Sequence, residues 1–175
     1  MAVIAFEKLE YLESGNERQQ HAYATLKKYE VFNLLAAYDP ILVGTVPIDI
    51  DIPGSDLDII CCAADLLQFE AYLIQNFSSM PAFTFKRLGA RSAVVGRFML
   101  DGWAVEIWCQ DLPTTQQLGY RHMLVEYELL ERFGPAFRQQ VRALKLQGYK
   151  TEPAFASVMG LSGDPYEELL NLNYK

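Results

Sequence analysis

The stretch 41-ILVGTVPIDIDIPGSDLDII-60 decides how this chain folds. It opens on apolar Ile41-Leu42-Val43, turns at Gly44-Thr45, and closes with Gly54-Ser55-Asp56-Leu57-Asp58 running into Ile59-Ile60. Side chains alternate along a strand, so Asp56 and Asp58 share one face while Leu57 and Ile59 enter a core. Two unit charges about 4 Å apart repel by roughly 4 kcal/mol at an effective dielectric near 20. A divalent cation relieves that repulsion. Paired carboxylate oxygens suit Mg²⁺, which keeps its other positions for water and substrate phosphates. Asp49-Ile50-Asp51 repeats the acid–apolar–acid pattern and competes for the role, but Pro53 ends that segment, whereas an unbroken apolar run follows Asp58.

Working outward, Asn16 with Gln19 forms a capping box for a helix to about Tyr29, after a short helix over 6–12. A second helical piece covers 31–38, and Asp39-Pro40 ends it. Strands are expected over 41–46 and 55–62. Asp65 with Gln68 opens a helix through Asn76, with Leu66, Phe69, Leu73 and Phe77 at helical spacing. Strands over 83–88, 93–100 and 103–109 follow, the last two joined by the hairpin turn Asp101-Gly102. Helices are expected over 116–133, stopped by Gly134-Pro135, over 135–147, from Thr151 to about Met159, and from the Asp164-Pro165 cap through Leu172. The fold class is α+β: a small mixed sheet with flanking helices and a helical C-terminal region. All 175 residues are read as a single domain, with helices over 1–39, an α/β core over 40–112 and the helical region over 113–175.

Composition narrows the function. Half of the residues are hydrophobic, enough for a core without staples, and the net charge of −7 argues against a general nucleic-acid binder. Cys61, Cys62 and Cys109 have no metal-site spacing and read as reduced thiols of a cytoplasmic protein. The apolar start Ala2 to Phe6 is short for a signal peptide and lacks a basic lead, and no run reaches the length of a membrane span. GxSxG, CxxC, HExxH, GxxxxGK[ST] and GxGxxG are all absent, which disfavours serine hydrolases, zinc enzymes, P-loop kinases and nicotinamide enzymes.

A third acid, Glu106, sits between Val105 and Ile107 in the strand WAVEIWC. One reading is a solvent-facing position. The other is that it faces Asp56 and Asp58 from a neighbouring strand, where three carboxylates hold two metal ions roughly 3.5–4 Å apart, as phosphoryl transfer requires.

Gly44-Thr45, a ten-residue gap, Asp56-Leu57-Asp58-Ile59 and the later Glu106 together resemble the pattern of the nucleotidyltransferase fold superfamily. Within it, GTxPIxIDIxGSDLDI and the later RHMLVE…KTEPAFA resemble a small bacterial family, a domain of unknown function. The resemblance implies that Asp56, Asp58 and Glu106 are catalytic and bind Mg²⁺ or Mn²⁺. It implies that Gly44, Thr45 and Ser55 hold a nucleoside triphosphate. The reaction would move a nucleoside monophosphate to a hydroxyl of a small molecule or a protein. Two departures stand out. The segment after Thr45 is apolar and acidic where many members are basic, and Glu106 replaces the commoner aspartate. A catalytically inactive nucleotide-binding or interaction module of the same fold, or one member of a toxin–antitoxin pair, are the alternatives.

Positive charge for a triphosphate has three sources. Lys86, Arg87, Arg91 and Arg97 fall in one acid-free segment, and Arg138, Arg142 and Lys145 recur at i, i+4 and i+7 in another. A solvated basic stripe is the competing reading of both. Near the start of the long helix, Arg121 is suited to fork onto phosphate and His122 to act as general base or substrate contact. Pairing of His122 with Glu126 one turn on is the blander reading. Arg121, His122 and Lys145 complete the nucleotide-binding candidates.

Overall fold

In the computed structural model of the protein, residues 5–89 and 92–172 are described; Arg91 and most of the apolar start at Ala2 to Phe6 lie outside them. Five strands form one mixed sheet in the order β1-β2-β5-β4-β3: β1 (Ile41–Val43), β2 (Leu57–Cys62), β3 (Thr84–Leu88), β4 (Ala93–Leu100) and β5 (Trp103–Gln110). β2 and β5 run parallel; the other neighbours are antiparallel. The parallel pairing needs a crossover. The chain supplies it with α3 (Leu66–Phe77) and the β3–β4 strands before β5.

The α3 helix begins as its sequence dictates. The Asp65 carboxylate accepts from the amides of Leu67 and Gln68, satisfying two orphan donors of the first turn. Its apolar stripe, Phe69, Leu73 and Phe77, is fully buried against β2, β4 and β5. The α1 helix (Glu17–Lys28) carries the complete Asn16–Gln19 capping box, and with α2 (Val31–Leu35) it covers the same sheet face as α3. At its far end Lys28 Nζ and Tyr29 Oη both donate to Asp101, at 2.8 and 2.9 Å. Those bonds clamp the hairpin whose Asp101 and Gly102 both have positive φ, 43° and 88°.

Alternation then sorts the two faces. Leu57, Ile59 and Cys61, with Val105, Ile107 and Cys109, enter the core beneath α1 and α3. Asp58 and Ile60, with Glu106 and Trp108, point the other way. Over that second face lie α4 (Leu118–Leu146), α5 (Thr151–Met159) and α6 (Pro165–Leu170), whose Met123, Leu130, Val141, Phe155 and Leu169 close a second core against Ile41, Val43 and Ile60. Gly134, at φ 74° and ψ −164°, interrupts α4 just before Pro135, so the two halves expected over 116–133 and 135–147 are present as arms of one bent element.

Apart from shifts of a few residues at the ends of other elements, two differences from the sequence reading stand out. The segment 6–12 is not an α-helix; a 3₁₀ turn at Glu10–Ser14 takes its place, burying Leu12. β1 stops at Val43 rather than 46, because Gly44 at φ 82° turns the chain and Asp49 at φ 56° turns it again, the loop being closed by an Ile50 N–H to Thr45 O bond of 3.1 Å.

That loop disposes of the competing acid pair. Asp51 is 1% exposed and ion-paired with Arg18 of α1. Asp49 accepts from Asn16 Nδ2 at 2.7 Å and faces Arg138 and Arg142 at 3.5 and 3.6 Å. Arg138 Nη1 also donates to the backbone carbonyls of Ile48 and Asp49. The basic positions Arg138 and Arg142 therefore fasten α4 to the loop. Breaking a buried pair from one side leaves a charge short of its partner. Asp51→Asn is expected to lower the unfolding free energy by about 2 kcal/mol, with the m-value unchanged in urea titration.

Candidate active site

β2 and β5 pair so that Asp58 stands directly opposite Glu106, and β1 places Val43 opposite Asp58 on the other side. The Gly44-Thr45 turn thus falls against the acid. A Cβ on Gly44 would sit 2.6 Å from Asp58 Oδ2, so only glycine leaves that carboxylate open. Asp56 lies just before β2 and is exposed; Asp58 and Glu106 are half-buried. Ser55 Oγ accepts from the amide of Ile52 at 3.0 Å, fixing the approach to β2.

These residues line one cleft of about 970 Å³ between the second sheet face and the helices α4 to α6. Gly44, Thr45, Ser55, Asp56, Asp58, Glu106, His122 and Lys145 are all in its wall. Arg121 is not: it points out from α4, exposed, while its neighbour His122 turns inward. Beside Asp56 the cleft adjoins a second hollow of about 500 Å³, shared with Lys145, Lys150 and Thr151.

Electrostatics in the cleft favour a cation. Burial first, then the charges of Asp56 and Glu106, push the Asp58 carboxyl up to about 7, against the pull of Arg97 and Lys145. Glu106 is held by an ion pair with Arg97, its cross-strand partner on β4. Among the described residues no three acid, histidine or cysteine side chains stand close enough to enclose an ion. Asp56, Asp58 and Glu106 are the carboxylates that could hold a divalent ion in this cleft, with Gly44 leaving the Asp58 carboxylate uncovered and Arg97 engaging Glu106.

The helical wall brings the expected Lys145 and His122 together with Glu126, which the sequence reading weighed only as a helical partner of His122. Lys145 is 7% exposed and donates to Thr151 Oγ1 at 3.0 Å. Burial lowers its pKa, opposed first by Glu126. Burial pushes the fully enclosed Glu126 carboxyl well above the usual range. His122 meets Tyr166 edge-on at 5.9 Å between ring centroids, and its Nδ1 has no hydrogen-bond partner among the described residues. Burial also lowers its pKa, which favours the neutral ring. A signal existed for part of this wall: Trp108 and Gln110 continue the two-residue rhythm of Glu106 on β5. Gln117, Glu152 and Tyr166 carry none, because only the fold of α4 to α6 brings them here. Of the other acid-free segment, Arg87 pairs with Glu70 on α3 at 2.6 Å.

Solved structures similar to this chain in fold include nucleotidyltransferases. The GLD-2/RNP-8 complex is 12% identical over 87% of this chain and 62% of that chain, with a TM-score of 0.56. The polymerase core of TRAMP, an RNA surveillance complex, is 15% identical over 92% of this chain and 50% of that one, with a TM-score of 0.53. The Cid1 poly(U) polymerase with MgGTP bound is 12% identical over 78% and 46%, also at 0.53. The chain spans about half the length of such structures, and at this identity the likeness is one of fold: a nucleotidyltransferase-like α+β sheet. The chain belongs to the family described as a domain of unknown function (DUF4269), whose model matches residues 24–172. No curated protein matches it. No helix among the described residues is long and apolar enough to cross a membrane.

The raised Asp58 carboxyl has a signed consequence for the metal-free protein. The folded state binds the proton more tightly than the unfolded chain, so stability falls as pH rises from about 4 to about 7. In EDTA, Asp58→Asn is expected to be more stable than wild type at pH 8, by roughly 2 kcal/mol after allowance for remaining solvent contact. The advantage should shrink as pH falls and vanish below about pH 3, under the pKa of the unfolded carboxyl. Melting temperatures of both proteins across that range check it.

Proposed function

We propose that the protein is a metal-dependent nucleotidyltransferase that moves a nucleoside monophosphate from a nucleoside triphosphate to a hydroxyl of a small molecule or a protein. The observation that carries the reading is the pairing of Asp58 with Glu106 across β2 and β5, with Asp56 beside them and Gly44 held against the Asp58 carboxylate.

Asp56 and Asp58 would hold Mg²⁺ or Mn²⁺, with Glu106 completing the set once released from Arg97. Bound there, the ion supplies charge neutralisation at the phosphates and acidifies the attacking hydroxyl. The chain does the rest. The Gly44 backbone and the Thr45 hydroxyl receive phosphate oxygens, and Lys145 and Lys150 offset charge on the departing pyrophosphate. Glu106 takes the hydroxyl proton as the acceptor oxygen bonds to the α-phosphorus. The bond from that phosphorus to the bridging oxygen breaks, and pyrophosphate leaves with the electron pair. The helices α4 to α6 screen the cleft from water, favouring transfer over hydrolysis.

The Arg97–Glu106 ion pair also supports a second reading, a nucleotide-binding module without turnover, since it leaves the third acid engaged. Incubation with each of the four triphosphates and Mg²⁺ or Mn²⁺, following pyrophosphate and protein mass, separates the two. We expect release that Asp56→Asn and Asp58→Asn each reduce at least about 10³-fold. A gain in protein mass identifies a protein hydroxyl as acceptor. Magnesium-dependent nucleotide binding without release from any triphosphate selects the second reading.

A further inference from the structure

The cleft extends well past the acids. Along β5 each same-face step advances about 7 Å, so Trp108 lies one step and Gln110 two steps beyond Glu106. This arm is lined by Trp108, Leu112, Leu118, Gln117 and His122, with Glu126 further along α4. Among the described residues, two of its polar side chains are deeply buried and incompletely satisfied. Gln117 is 1% exposed; its Nε2 donates to the carbonyls of Cys61 and Leu112, at 2.8 and 2.9 Å, but its Oε1 has no partner. His122 is 5% exposed, and its Nδ1 has no partner either. An unpaired buried polar atom costs roughly 1–3 kcal/mol. Both belong to side chains that line one cleft.

The chemistry of the walls describes a ligand that suits both. With both amide hydrogens of Gln117 committed to backbone carbonyls, Oε1 receives only a donor. The cleft contains Asp56, Asp58, Glu106, Glu126 and Glu152 against Lys145 and Lys150. Both lysines stand on the Asp56 side, where the second hollow opens. An in-line displacement puts the entering and leaving oxygens on opposite sides of phosphorus. If pyrophosphate departs toward Lys145 and Lys150, the nucleophile enters from the side of Glu106 and Trp108.

We infer that the arm between β5 and the start of α4 is the acceptor subsite, and that it takes a small hydroxyl-bearing molecule whose other polar groups are hydrogen-bond donors, neutral or cationic, rather than an anionic molecule or a polynucleotide. The orientation rests on the nucleotidyl-transfer reading; the ligand preference rests on Gln117, His122 and the surrounding carboxylates. Trp108 and Leu118 supply the apolar surface against which the body of the molecule packs. Gln117 fixes one donor, and His122 a second polar group.

The test needs neither metal nor nucleotide, so it fails independently of the transfer reaction. The chain has two histidines, His21 and His122. Long-range ¹H–¹⁵N spectra therefore follow the His122 imidazole with His21 as internal control. Four sets of probes are titrated into the metal-free protein at up to 10 mM: amino sugars and amino alcohols, neutral polyols, sugar phosphates, and an oligoribonucleotide at lower concentration. Members of the first two sets are expected to shift His122 Nδ1 without moving His21. His122→Phe, which leaves the unpaired nitrogen out, should weaken the best probe at least tenfold, read from the indole fluorescence, while Lys27→Gln, on the exposed surface of α1 and outside the cleft, should leave it unchanged. If His122→Phe proves unfolded by its melting curve, the Nδ1 shift in the native chain decides alone. A shift produced chiefly by sugar phosphates or the oligoribonucleotide overturns the inference. So does an imidazole that no probe moves.

Discussion

The molecule depends on one contact: the parallel ladder of β2 and β5, which sets Asp58 across from Glu106. Two acids facing one another on adjacent strands are a poor choice for sheet stability, since like charges directly opposite destabilise the pair. The ladder tolerates them because its other face is wholly apolar. Leu57, Ile59, Cys61, Val105, Ile107 and Cys109 are at most 1% exposed beneath α1 and α3. Burial there fixes the register, and a slip by one residue would exchange the apolar face for the acidic one. The core holds the two carboxylates where neither would settle alone.

The resting chain partly offsets that tension from its own resources. Arg97, directly opposite Glu106 on β4, gives one acid a counter-charge. Asp58 has no ion pair among the described residues and answers by holding its proton more tightly. The division follows from position: Glu106 lies beside a strand whose side chain reaches it, whereas β1 offers Asp58 only Val43 and the bare backbone of Gly44. The same bareness that denies Asp58 a protein partner leaves space beside its carboxylate for a ligand.

Much of this was legible in the residues. The capping boxes, the Asp101-Gly102 turn and the stripe of α3 are local signals, and local signals fix where elements begin. The α+β class followed from them, as did the nearness of Asp56, Asp58 and Gly44, since one short stretch contains all three. Glu106 was reachable through its flanking valine and isoleucine. Arg121 and His122 show where such reasoning stops. They are adjacent on one helix, equally suited to phosphate by chemistry, yet one faces solvent and the other the cleft. Helix phase relative to the sheet decided between them, and phase is set by the packing of Met123, Leu130 and Val141. The basic stripe divided for the same reason: Arg138 and Arg142 bind the 48–49 loop while Lys145 reaches the cleft.

The segment after Thr45, acidic where a triphosphate site would favour basic residues, acquires a sense from these contacts. Its carboxylates face away from the cleft. Asp49 draws two arginines of α4, and Asp51 draws Arg18 of α1. The loop thereby ties helices from both sides of the sheet to the turn that bears Gly44. Basic residues at these positions would leave Arg18, Arg138 and Arg142 facing like charges and loosen the second half of α4, which carries Lys145 into the cleft. The positive charge missing from the loop is thus supplied from a distance, by a helix that the acids of the loop hold in place.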